Sequence, residues 1–159
     1  MNVQKAKGFT IIEVVLVLAI AGLIFLMVFI ALPALQRNQR DAARKSEVGT
    51  VASAITTFQS NNRGVSPNTS PESAAKTFAN YIDATVVGGV IEFTSGTKVI
   101  RSTETQFPQH PEADTTTIIF VIGGKCGEAA TNEVIKGTSR QVAVVTQLEN
   151  GEAYYCQAT

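Results

Sequence analysis

The sequence predicts an α+β fold: one long N-terminal helix, its first half spanning a membrane and its second half amphipathic, packed on a small antiparallel sheet of about four or five strands. Three observations lead there. Val14 to Leu32 contains no polar or charged side chain. Val48, Val51, Ile55 and Phe58 fall at steps of three and four, which places them on one helical face. Beyond residue 88 the chain becomes a series of β-branched runs separated by glycine and asparagine turns.

The apolar run sets the anchor. Val14–Leu32 is 19 residues, and at ~1.5 Å rise per residue it covers roughly 28 Å, close to the ~30 Å hydrocarbon core of a bilayer. A conventional cleaved secretory signal fits poorly, because its apolar segment is about 7–15 residues long and ends at a small-x-small site. Here the run is longer, holds Glu13 at its start and leaves through Leu32-Pro33-Ala34. Pro33 need not end the helix, since the following segment keeps strong helix formers. The spacing predicts one helix over about residues 9–60, with Gly22 and Pro33 as its weak points: glycine costs ~1 kcal/mol relative to alanine, and proline removes a backbone hydrogen bond. Between Gln36 and Lys45 the chain is polar nearly all round, which predicts a solvated stretch or a headgroup boundary.

The rest divides by punctuation. Residues 61–72 form a loop by composition. Ser70-Pro71-Glu72 marks a helix start with a serine cap and proline in the first turn, and Ala74, Phe78 and Ile82 carry that helix to about Asp83. Asn68-Thr69-Ser70 matches the glycosylation sequon, a three-letter pattern of low specificity. VIEF and KVIR flank a turn at Ser95-Gly96, TTTIIFVIGG reads as one strand, and two further strands meet at Asn150-Gly151. The connections are too short for crossover helices, so an antiparallel sheet is expected. Its one face is the natural cover for the apolar stripe of the long helix.

Composition narrows the function. Thirteen basic residues balance thirteen acidic ones, which gives no support to nucleic-acid binding through a cationic surface. His110, the single histidine, sits between two prolines with Glu112 and Asp114 nearby; a solvated loop explains it better than a metal site. No nucleophile motif, phosphate-binding glycine loop or paired-acid constellation stands out, so neither an enzyme nor a cofactor is expected. Charge alone does not orient the anchor, since basic residues flank both ends. The two cysteines, Cys126 and Cys156, fit an oxidising compartment and place the C-terminal part outside the cytoplasm.

Glu13 is the anomaly. A charged carboxylate at mid-membrane costs ~2.5–3.5 kcal/mol, less near an interface, and such groups have partners. The chain offers no basic residue between Glu13 and Arg37. Another copy of the chain would supply one, and so would a new N-terminal amine made by cutting after Gly8. That cut would also remove Lys5 and Lys7, the hydrophilic tether. The mature chain would begin at Phe9, and its amine would pair with a neighbour's Glu13.

A basic leader ending in Gly8, then FTIIEV, then a long apolar helix, resembles the type IV prepilin signature over about residues 5–35. The general layout of helical stalk, sheet and C-terminal cysteine pair resembles the pilin fold. The resemblance implies that residues 1–8 are a leader removed by a prepilin peptidase, that Phe9 is N-methylated, and that Glu13 pairs with a neighbour's amine during assembly. It implies residues 9–33 as the membrane and polymerisation segment, and residues 34–159 as an extracytoplasmic head. That head comprises the helix to about residue 60, a loop and short helix over 61–83, and a sheet over about 88–159. The implied partners are further copies of the chain, the peptidase/methyltransferase, the cytoplasmic membrane, and an assembly platform with its ATPase. The implied location is a single-pass precursor with its head outside, then a surface fibre serving adhesion, motility or DNA uptake. Gly22 sits where such chains commonly carry a helix-loosening glycine. Pro33 departs from the pattern by about three residues, nearly one helical turn. Cys126 and Cys156 are expected to bridge as a staple at the edge of the head. Two alternatives stand beside a pilus subunit: a pseudopilin of a secretion or competence machine, and a single-span membrane-anchored binding domain.

Overall fold

The computed structural model describes residues 8–128, 133–149 and 153–159. The chain forms two compact units, an N-terminal one ending at Asn38 and a head of Gln39–Thr159. Helix α1 runs unbroken from Ile11 to Asn61, through Pro33. Among the described residues of the N-terminal unit, 8–38, no side chain is buried.

In the head, α1 turns amphipathic where the sequence pattern changes. Val48, Val51, Ala52, Ala54 and Ile55 are buried, and Phe58 packs against them half-exposed. Helix α2 (Glu72–Ile82) lies over the same core and buries Ala75, Phe78, Ala79 and Ile82. Phe78 ties the layers together: its ring meets Phe58 edge-on at 5.9 Å and Phe120 of the sheet at 5.8 Å. The expected serine cap is not formed. Pro71 occupies the N-cap position without a side-chain cap bond, while Asp83 closes the far end in a left-handed conformation.

The sheet is larger than expected. Strands β1 (Thr85–Val87), β2 (Val90–Glu92), β3 (Lys98–Arg101), β4 (Thr117–Ile122), β5 (Gly124–Cys126), β6 (Val134–Lys136), β7 (Val142–Gln147) and β8 (Tyr154–Ala158) follow in order. Six form one sheet in the order β1-β2-β3-β4-β7-β8, and β5-β6 form a separate ribbon. All pairs are antiparallel except β3–β4, which are parallel. The purely antiparallel expectation failed because it required a helix in any parallel crossover. Here the crossover, residues 102–116, is a loop pinned by one residue. Gln109 is 1% exposed. Its backbone exchanges hydrogen bonds with Val134 at 2.9 and 2.8 Å. Its side chain donates to the Glu104 carbonyl and accepts from the Ser102 hydroxyl, both at 3.0 Å.

Strand alternation then sorts the core into two faces. Ile91, Val99, Ile118, Phe120, Val142 and Val144 face the helices. Val121, Ala143 and Val145 point the other way, where Val134 of the ribbon and Phe107 of the crossover loop cover them. The ribbon sits close: a methyl added at Gly124 would lie 2.5 Å from Val134 Cγ1. Strands β1, β5 and β6 are three residues each, too short for period-two patterning to reveal. The predicted turn at Asn150-Gly151 lies outside the described residues, though β7 and β8 pair as expected.

Candidate functional site

The start of α1 gathers the sequence-predicted residues. Gly8 and Phe9 precede the helix, and Phe9 is 90% exposed. Thr10 sits at the cap position and Glu13 lies in the first turn. The Thr10 N–H and hydroxyl donate to Glu13 Oε2 at 2.9 and 2.8 Å. The Glu13 N–H points back at Thr10 Oγ1 over 3.4 Å. This is the S/T-x-x-E capping box, a carboxylate satisfying an otherwise unpaired donor at a helix N-terminus. The sequence reading singled out Glu13 and missed Thr10, although Thr10-Ile11-Ile12-Glu13 spells the box.

Downstream, side chains that a soluble protein would bury are bare. Ile11, Leu18, Phe25, Phe29 and Ile30 are among those more than half exposed. The helix is long and apolar enough to cross a membrane. Gly22 has open space around it: an added methyl would meet nothing within 4 Å. Its lack of a side chain therefore answers no packing demand inside the chain.

Most of Gln36–Lys45 is exposed, as its polar pattern predicts, but two of its residues are not. Asp41 is 6% exposed and Arg44 is largely covered. Glu149, just past β7, accepts from Arg40 Nε at 2.9 and 2.8 Å and from an Arg44 guanidinium nitrogen at 2.7 Å. Arg44 also reaches Asp41 at 3.2 Å and donates through Nε to the Thr115 carbonyl at 2.6 Å. The Glu149 N–H in turn donates to Asp41 Oδ1 at 2.8 Å. Hydrogen bonds from Arg40 and then Arg44 pull the Glu149 carboxyl down to about 2. The latch fastens the end of β7 and the crossover loop to α1. Polar pattern alone hid it, because its acceptor lies 105 residues from Arg44.

Cys126 and Cys156 are bonded to each other, joining ribbon strand β5 to edge strand β8. In the crossover loop, Asp114 accepts from the Thr116 N–H and hydroxyl at 2.8 and 2.9 Å. Its carboxyl is lowered chiefly by a hydrogen bond from Thr117. His110 and Glu112 are exposed. No group of three or more metal-ligating side chains occurs among the described residues.

A long apolar helix leading into a helix-covered, mostly antiparallel sheet is a pilin-like α+β arrangement. Residues 3–29 match the family model of the prokaryotic N-terminal methylation motif, the class III signal of type IV pilin-like proteins, and the motif supports a pilin or pseudopilin precursor. The motif implies processing by a prepilin peptidase and polymerisation, and motif and helix together fit a membrane-anchored precursor. The match leaves the head uncovered, and no curated protein and no solved structure matches the chain.

Proposed function

We propose that the chain is the structural subunit of a type IV pilus. A prepilin peptidase cuts between Gly8 and Phe9 and methylates the Phe9 amine. The anchor, residues 9–33, holds the subunit in the cytoplasmic membrane with its head outside. An assembly platform and its ATPase then add subunits to a helical fibre, in which Gly22 and Pro33 are the points where α1 yields. Adhesion, motility and DNA uptake are the tasks such a surface fibre performs.

One observation carries this reading: a single carboxylate, Glu13, lies at the start of the otherwise apolar and uncovered first segment of the helix, residues 11–32. Burying that helix in lipid or among its own copies is favourable, while burying the carboxylate unpaired is not. An amine freed on a neighbouring copy satisfies both requirements. The test is the full-length chain in its host, with Glu13→Ala compared against wild type. Cleaved, methylated wild-type subunit in long sheared filaments supports the proposal, together with cleaved but unassembled Glu13→Ala. Filaments from Glu13→Ala at wild-type yield would refute it. Wild-type fibres confined to the cell envelope would instead assign the chain to the pseudopilins, which share the motif.

A further inference from the structure

Arg44 is the centre of the latch. Its Nε donates to the Thr115 carbonyl, and its other nitrogens reach Asp41 at 3.2 Å and Glu149 at 2.7 Å. One turn further along α1 lies a third carboxylate, Glu47. Its Oε1 accepts from the Ser95 hydroxyl. Its Oε2 is closed off from solvent and accepts nothing among the described residues. Glu47 also forms no ion pair among them: two arginines meet three carboxylates here, and Glu47 is the one left over. A buried acceptor without a donor is costly, more so when ionised, and water does not reach this one. Only a donor already inside the head can satisfy it. Residues three apart on a helix are neighbours, with Cβ atoms about 5–6 Å apart. Arg44 therefore stands between Asp41 on one side and Glu47 on the other, while Arg40 is two turns from Glu47. Arg44, Glu47, Ser95 and Thr115 line one hollow of about 220 Å³, which gives a guanidinium room to turn.

We propose that Arg44 has two positions: on Glu149, where it closes the latch, and on Glu47, where it stays paired while the latch opens. In the second position the end of β7 and the crossover loop are released from α1 without leaving a buried arginine unpaired, which is the strongly destabilising alternative. The test is a double-mutant cycle on the full-length chain in detergent micelles, with Glu47→Gln, Glu149→Gln and the two combined. Folding equilibrium constants are read from urea unfolding followed by tyrosine fluorescence. The cycle is run at ~1 M salt, where the Debye length is about 3 Å and repulsion between the two carboxylates is screened. Glu47→Gln alone should fold within about twofold of wild type or better, because the charge it removes has no partner in the closed latch. Glu149→Gln alone should fold less well. The double variant should lie about tenfold below the product of the two single effects, the scale of one hydrogen bond to a charged group. Single effects that multiply to within about twofold of the double variant would overturn the proposal. So would a Glu47→Gln that costs as much by itself as Glu149→Gln, since Glu47 would then already hold a partner. If Glu149→Gln does not fold, Glu149→Asp, which draws the carboxylate back by one methylene, takes its place in the same cycle with the same outcomes.

Discussion

Replacing Cys126 and Cys156 together by alanine should cost the head about 3.6 kcal/mol. The bridge closes a loop of sequence separation 30. In the chain-entropy model a loop of that length removes about 12 cal/mol/K from the unfolded chain, which at ~298 K gives that figure. The folded head should change little. β8 keeps its five paired residues with β7, and Val134 keeps the ribbon seated on Val121 and Val145. The assay is urea unfolding of the full-length chain in detergent micelles, followed by tyrosine fluorescence. There is no tryptophan, and all three tyrosines, Tyr81, Tyr154 and Tyr155, belong to the head, so the signal is blind to the anchor. The midpoint should fall and the denaturant slope should rise, because an uncrosslinked chain exposes more surface. A midpoint unchanged to within ~1 kcal/mol of stability would refute the reasoning. A lower midpoint at constant slope would place the loss in native packing and not in the denatured chain.

Phe78→Ala should destabilise the head by about 3–5 kcal/mol, since the ring is fully buried between Phe58 and Phe120; the same unfolding assay reads it. Gly124→Ala should cost about 1–3 kcal/mol by overpacking against Val134, Val121 and Phe107, whereas Gly22→Ala should leave the stability of the head unchanged. Acid should weaken the head between about pH 4.5 and 2. Glu149 is held down to about 2 in the folded chain against an ordinary 4.5, so its contribution is complete above the unfolded value and is lost as pH falls towards the folded one. A Glu149→Gln variant should show a flatter dependence in that window, measured as the unfolding midpoint at each pH.

The sequence was most legible where one physical demand dominates. A run without polar side chains cannot be other than an uncovered helix in lipid or a buried one, and α1 follows the expected 9–60 to within a residue or two. The stripe at Val48, Val51 and Ile55 is buried as its spacing requires. What escaped depends on contacts distant in sequence. The loop that connects the parallel β3–β4 pair meets Val134 through Gln109, and neither residue advertises the other. The arginines of the latch look like a solvated helix face until Glu149 is brought to them by the β4–β7–β8 pairing. Thr10 was local and legible. It went unread because the carboxylate three residues on was considered for its charge and not for the hydrogen bonds it makes.

The most direct test of the account is the intact mass of the native subunit recovered from sheared surface material. The predicted mass is that of a chain starting at Phe9, with one methyl group added and two hydrogens lost to the Cys126–Cys156 bond. A chain that still begins at Met1, recovered from membranes and never from fibres, would contradict it.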